Sequence, residues 1–150
     1  MPQSLSSVLI HLVFSTKNRQ PLITPAIEQE LFKYLAVELH NMGCPSLTIN
    51  GTSDHIHILF TLSRTQSIAN VVKSIKGSSS RSIKPRSAEL RAFEWQAGYG
   101  AFSIGRSQVV QVKRYIARQK VHHRKISFQD EVRALLQKYE VKYDEKYVWD

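Results

Sequence analysis

Two histidines stand two residues apart in Asp54-His55-Ile56-His57-Ile58-Leu59-Phe60, a run otherwise rich in β-branched and apolar side chains. Such a run reads as a strand, and residues i and i+2 of a strand project from one face. His55 and His57 therefore stand side by side, while Ile56, Ile58 and Phe60 point the other way, into a core. Adjacent imidazoles offer a divalent metal ion two ligands. Two half-exposed histidines on a sheet face would show the same spacing, so the pair becomes a centre only with a third ligand and a reacting group.

Both are on offer in Gln111-Val112-Lys113-Arg114-Tyr115-Ile116-Ala117-Arg118-Gln119-Lys120. Tyr115 and Gln119 are four residues apart and share one helix face. That face carries no aliphatic residue and is flanked by Lys113, Arg114, Arg118 and Lys120. Positive charge favours phenolate, so a tyrosine in this setting suits attack on a phosphate. The Gln119 carbonyl oxygen is a hard, neutral metal ligand. A surface tyrosine whose ring merely covers neighbouring aliphatic carbons is the competing reading.

The elements that must position these groups follow from pattern. Ser6 to Ser15 alternates, with Val8, Ile10, Leu12 and Phe14 on one face and Ser7, Leu9, His11 and Val13 on the other: a first strand. Thr24-Pro25 supplies an N-cap and a first-turn proline, Ile27, Leu31, Tyr34, Leu35 and Met42 follow at helical spacing, and Gly43 ends the helix. Leu47 to Asn50 is a second strand, turned by Gly51 to Asp54 into the histidine strand. Ile68, Val71, Val72 and Ile75 form the stripe of a second helix, weakened at Gly77 and the Ser78-Ser79-Ser80 run and ended before Pro85. Arg86 to Ala97 reads as a surface connection, although Phe93 and Trp95 must pack somewhere, and Gly98 to Ile104 as a fourth strand.

The order is β-α-β-β-α-β, an α+β ferredoxin-like sandwich with both helices on one sheet face. The other face is left open, and His55 and His57 lie on it. Beyond the sandwich, a helix capped by Ser107 runs to about His122 with Val109, Val112 and Ile116 inward. Ser127-Phe128-Gln129-Asp130 opens a last helix with Val132, Leu135, Leu136 and Tyr139 inward. The tail from Tyr143 to Trp149 mixes aromatic and charged residues without a readable partner. Residues 1–150 read as one domain without internal repeats.

Charge narrows the class of ligand. The net charge is +9, and residues 64–125 hold fourteen basic against two acidic side chains. A basic surface concentrated in mid-chain is the footprint of a phosphate-backbone binder. Lys73, Lys76, Arg81, Lys84, Arg118, Lys120, Arg124 and Lys125 are its candidate phosphate contacts. Cys44 is the single cysteine and has no internal disulfide partner, which suits a reducing cytoplasm. The apolar run from Val8 to Phe14 is too short to cross a bilayer, so no membrane partner is expected. No Gly-x-x-x-x-Gly-Lys loop cradles a nucleotide.

Taken in order, His11-Leu12-Val13-Phe14, Asp54-His55-Ile56-His57, Ser74 to Arg81, Gly98-Tyr99, Ser103-Ile104-Gly105 and Arg114-Tyr115-Ile116-Ala117-Arg118-Gln119 carry a resemblance. The chain resembles the single-tyrosine HUH transposases, TnpA-like proteins of the insertion-sequence-two-hundred type and their REP-associated relatives. The resemblance implies that His55, His57 and Gln119 hold a divalent ion, magnesium or manganese, at the scissile phosphate of single-stranded DNA. It implies that Tyr115 attacks to give a 5′-phosphotyrosine, later displaced by a 3′-hydroxyl so that strands rejoin without a nucleotide cofactor. It further implies hairpin-bearing DNA ends as substrate, and a homodimer in which one subunit's tyrosine helix completes the other's site in trans, with Gly105 as the hinge. His11 is expected on the same sheet face as a supporting or substrate-contacting group, and Asp54 as the residue that orients His55 or as a simple turn residue.

Other classes share parts of this pattern. A replication initiator or relaxase would carry a histidine pair, but the small size and late single tyrosine argue against it. A non-catalytic RNA-binding ferredoxin-like module would stack bases on sheet-face aromatics where this strand has imidazoles. A metal-independent ribonuclease would use His55 and His57 as acid and base.

Overall fold

A computed structural model of the chain describes residues 2–150. Four strands, β1 (Leu9–Ser15), β2 (Ser46–Gly51), β3 (His55–Thr61) and β4 (Gly100–Ile104), form one antiparallel sheet in the order β2-β3-β1-β4. Helices α1 (Pro25–Asn41) and α2 (Ile68–Ile83) connect them as the ferredoxin-like pattern requires. Three short helices follow the sheet: α3 (Val109–Ala117), α4 (Gln119–His122) and α5 (Phe128–Lys138). No helix among the described residues is long and apolar enough to cross a membrane.

The even-numbered side chains Ile10, Leu12, Phe14, Ile56, Ile58 and Phe60 form one core with Leu31, Leu35 and Leu39 of α1 and Val71, Val72 and Ile75 of α2. The connection from Arg86 to Ala97 is more than a surface strap. Leu90, Phe93 and Trp95 are buried in this core, and Phe93 and Trp95 meet ring edge to face at 4.8 Å. The helix α2 passes through its serines to Ile83, helped by Ser78 Oγ donating to Ser74 O at 2.9 Å and by Ser79 Oγ accepting from Trp95 Nε1 at 2.9 Å.

The second sheet face is covered, which corrects the expectation of an open one. Leu9, Leu59 and Ile104 pack with Ile116 of α3, and Val13 and Phe102 pack with Phe128, Val132, Leu135 and Leu136 of α5. The reason is apolar area: five aliphatic or aromatic side chains on that face would otherwise meet water, at about 25 cal/mol per Å². Burying this face puts α5 directly over His55 and His57.

Three local details complete the frame. The helix expected to run from Ser107 to His122 breaks at Arg118 (φ −97°, ψ 13°) into α3 and α4. Asn50 Nδ2 donates to the carbonyls of Ile116 at 2.9 Å and Ala117 at 3.3 Å, satisfying acceptors that the break leaves free. The cap before α3 comes from Gln108, whose Oε1 accepts from Gly105 N at 2.9 Å, and not from Ser107. The tail finds its partner on α5: Trp149 lies 6.3 Å from the Phe128 ring and beneath the Arg133 guanidinium at 5.0 Å.

Candidate active site

The β2–β3 hairpin brings the histidines into place. A Cβ at Gly51 would collide with the His55 carbonyl, so only glycine lets the two strands close this tightly. His55 and His57 then project from the face shared with His11 of β1, diagonal across the β1–β3 register. Both are fully buried, whereas a side chain on an open sheet face would be wet. Each ring is held by its Nδ1: His55 by Asp54 Oδ1 at 2.7 Å, His57 by His11 Nε2 at 2.8 Å. Thr52 Oγ1 donates to the same Asp54 oxygen at 3.0 Å.

With their outer nitrogens engaged, both rings aim Nε2 at one point, and helices α3, α4 and α5 meet it. The break at Arg118 keeps Tyr115 and Gln119 on one face and turns Gln119 fully inward. Gln119 Oε1 lies 3.0 Å from His55 Nε2. The Tyr115 ring centroid lies 5.8 Å from that of His57 and 6.0 Å from that of His11. Tyr115, Gln119, His55, His57, His11 and Asp54 are thus gathered in one cluster.

At its centre stands a residue that sequence reading missed. Glu131 of α5 is 1% exposed. Its Oε1 lies 2.9 Å from His57 Nε2, 2.8 Å from His123 Nε2 and 3.4 Å from His55 Nε2. Its Oε2 accepts from Gln119 Nε2 at 2.9 Å and from the Tyr115 hydroxyl. His122 Nε2 is 3.5 Å from Oε2. The signal was present: Phe128, Glu131, Val132 and Leu135 fall at i, i+3, i+4 and i+7, so an acid occupies the apolar stripe of α5.

Electrostatics follow from that carboxylate. Burial would raise the Glu131 pKa, but hydrogen bonds from His123, His55 and His57 outweigh it and hold the group ionised, well below the usual carboxylate range. Burial pulls His55 down, yet its bonds to Asp54 and Glu131 and the Glu131 charge raise it to about 9. For His57, complete burial prevails and keeps the ring neutral. His11 drops to about 3 through burial and the neighbouring His57. Tyr115 moves opposite to the phenolate expectation: burial and Glu131 push its pKa far above that of an ordinary phenol. Lys113, Arg114, Arg118 and Lys120 are all exposed around it, and the group in contact with its hydroxyl is an anion.

The donor set suits a divalent ion. His55, His57, His123 and Glu131 place one ligand atom each within 4.8 Å of one another, and the Gln119 oxygen adjoins them. Imidazole nitrogens, a carboxylate and an amide oxygen are the groups that bind such ions.

The basic residues divide by location. Arg118 and Lys125, with Arg114, line a cleft of about 430 Å³ that also contains Tyr115 and His122. Arg124 borders a separate cleft with Asp54 and His123. Lys73, Arg81 and Lys84 belong to α2 and its end, on the far side of the sheet from Tyr115. Two of the expected contacts are engaged within the fold. Lys76 Nζ donates to the carbonyls of Gln96 at 2.8 Å and Gly98 at 2.7 Å, and Lys120 pairs with Glu28 and donates to Asn50 Oδ1 at 3.1 Å.

Comparison with known proteins identifies the family. Residues 4–119 match the family model described as "Transposase IS200 like". The ISDra2 transposase TnpA of Deinococcus radiodurans is 24% identical over 114 residues, covering 73% of this chain and 81% of that protein. A candidate transposase from Deinococcus radiodurans, known from a crystal structure, superposes with a TM-score of 0.61 at 21% identity, over 79% of this chain and 98% of its own. The REP-associated tyrosine transposase bound to a REP hairpin superposes with a TM-score of 0.62 at 14% identity, over 82% of this chain and 72% of its own. The matched segment contains the histidine pair, Tyr115 and Gln119, and the chain belongs to the IS200-like transposase family, whose work is DNA transposition.

Proposed function

We propose that this transposase cleaves and rejoins single-stranded DNA with Tyr115 as nucleophile and with a divalent ion, magnesium or manganese, held by His55, His57 and Gln119. The observation that supports this most strongly is the convergence of the Tyr115 hydroxyl and the Nε2 atoms of both histidines on one buried spot. Bound there, a divalent ion would supply positive charge that stabilises the charge developing on the phosphate. Asp54 and His11 fix the two imidazoles by their outer nitrogens.

The Tyr115 oxygen attacks the scissile phosphorus in line. A tyrosine O–P bond forms as the bond to the 3′ oxygen breaks, leaving a 5′-phosphotyrosine and a 3′-hydroxyl. The phenolic proton passes to its hydrogen-bond acceptor Glu131, and the departing 3′ oxygen takes a proton from water. A second 3′-hydroxyl reverses these bond changes and rejoins the strand, so no nucleotide is consumed.

The substrate in this reading is a hairpin-bearing DNA end, the kind of ligand that the REP-associated relative carries. The single strand would approach Tyr115 along the cleft of Arg114, Arg118 and Lys125. Lys73, Arg81, Lys84 and Arg124 would meet phosphates farther off. The protein works as a homodimer in a reducing cytoplasm, and the tyrosine helix that docks here on its own sheet exchanges onto the partner's, so that the working sites are in trans.

The test is incubation of the chain with hairpin-bearing single-stranded DNA and magnesium or manganese, resolved on a denaturing gel. Wild type forms a covalent protein–DNA adduct and a shortened strand. Tyr115→Phe forms neither while retaining DNA affinity. An adduct with the Phe variant would remove Tyr115 from the nucleophile's role.

A further inference from the structure

We propose that Glu131 and His123, both supplied by the C-terminal segment, are ligands of the ion held by His55 and His57. The centre so formed has three imidazoles and a carboxylate, and takes manganese or another transition ion in preference to magnesium. The inference rests on the metal reading of the histidine pair and adds to it two ligands, from beyond the residues that match the family model.

Convergence is the first ground. Three imidazole Nε2 atoms, from β3 and from the segment after α4, lie 2.8 to 3.4 Å from the one oxygen Glu131 Oε1. A carboxylate oxygen has two lone pairs, so three ring contacts exceed what hydrogen bonding alone asks of it.

The second ground is lone-pair accounting. With its Nδ1 hydrogen given to Asp54, His55 turns Nε2 toward Gln119 Oε1 at 3.0 Å and Glu131 Oε1 at 3.4 Å, so a single Nε2 proton in the metal-free chain faces two oxygen acceptors. A divalent ion that displaces this proton meets the ring nitrogen and both oxygens at once, where the proton can serve only one oxygen well. The same logic holds for His57, whose Nδ1 can donate to His11 Nε2 and free its own Nε2 for a metal. Imidazoles anchored through the second nitrogen are the usual state of histidine ligands.

The third ground is position. Glu131 lies between Phe128, Val132 and Leu135 on the buried face of α5, where a carboxylate without strong partners would be costly. Nitrogen-rich sets favour later divalent ions, whereas magnesium prefers oxygen and water. A hydrogen-bond hub that only holds Tyr115 and Gln119 is the competing role for Glu131.

Calorimetric titration of the chelator-stripped full chain with manganese chloride and magnesium chloride separates the two. Wild type should bind manganese at least ~10-fold more tightly than magnesium, and Glu131→Gln and His123→Ala should each weaken manganese binding by about 10-fold or more. Pulsed electron paramagnetic resonance of the manganese-loaded wild type should count three histidine nitrogens. Equal affinity for the two metals, wild-type manganese affinity in both variants, or a count of two nitrogens would overturn the proposal. The His55→Ala/His57→Ala chain serves as reference. If it also binds manganese like wild type, the metal reading itself fails; if it alone loses binding, only the added ligands do. Should Glu131→Gln not fold by circular dichroism, the nitrogen count on wild type decides.

Discussion

The Tyr115 hydroxyl donates to Glu131 Oε2, and the other oxygen of that carboxylate lies 2.9 Å from His57 Nε2. One acid on the last helix thus ties Tyr115 to the histidine pair. In the proposed reaction its negative charge also stands where an anionic phosphate has to approach. In this arrangement Tyr115 stays a neutral phenol until its proton is taken, and Glu131 is the group in contact to take it.

If Glu131 is what holds the phenol neutral, Glu131→Gln should bring the Tyr115 pKa down toward the ordinary value of about 10. The glutamine keeps the shape and removes the charge, which after burial is the next cause of the upward push. Ultraviolet phenolate titration, differenced against Tyr115→Phe in the same background, reads the shift. An unchanged titration of Tyr115 would leave burial as the whole cause.

Metal-free stability should depend on pH through His55. Its folded pKa of about 9 lies above the ordinary 6.5, so the folded state keeps a proton that the unfolded chain releases. That stabilisation is complete below about pH 6.5 and is lost as pH rises through about 9, with a slope of at most about 1.4 kcal/mol per pH unit. Lys76 acts in the opposite sense, since burial lowers it from 10.5 to about 8, and it adds stability only as pH rises from about 8. Between about pH 6.5 and 8, the urea midpoint of wild type in chelator should therefore fall relative to that of His55→Gln. Parallel curves for the two chains would contradict the charge assigned to His55.

The basic residues should separate into two behaviours in DNA binding. Arg118 and Lys125 are exposed in the Tyr115 cleft, so replacing either with glutamine should flatten the log–log salt dependence of single-strand affinity by about 0.7. Lys76 holds the carbonyls of Gln96 and Gly98, and Lys120 pairs with the nearly buried Glu28. Their glutamine variants should chiefly lower thermal stability and leave the salt slope unchanged. A flatter slope with Lys76→Gln would return that residue to the DNA surface.

Period-2 and period-3.6 patterns made the sandwich legible, because Ile10, Leu12 and Phe14 or Leu31 and Leu35 must share a face to be buried. The histidine strand and the Tyr115–Gln119 pair were legible for the same reason, since spacing alone sets the shared face. What the pattern left hidden was long-range. Leu9, Val13 and Phe102 demanded a cover, but nothing in their spacing named α5, about thirty residues beyond Phe102. Without that docking, Glu131 reads as one more helix acid and His123 as a loop residue, and the cations near Tyr115 read as the groups that govern its proton. The Arg118 break was hidden too, because the carbonyl partner that permits it, Asn50, comes from β2.

The tyrosine helix should serve the partner's sheet in the working dimer. In a single chain α3 packs its Ile116 against Leu9, Leu59 and Ile104 of its own sheet. A partner's α3 can make the same contacts, because the connection before it, Gly105 to Gln108, is exposed and needs only to swing. Exchange between identical subunits preserves every contact and alters only the connecting segment. Mixing a His55→Ala/His57→Ala chain with a Tyr115→Phe chain tests this. With sites in trans, each mixed dimer holds one site with both defects and one with none, so adduct formation returns to about one intact site per mixed dimer. With sites in cis, every site keeps one defect and the mixture stays inactive. Inactivity of a mixture shown by native mass spectrometry to contain mixed dimers would therefore keep Tyr115 on its own histidine pair, as the single chain has it.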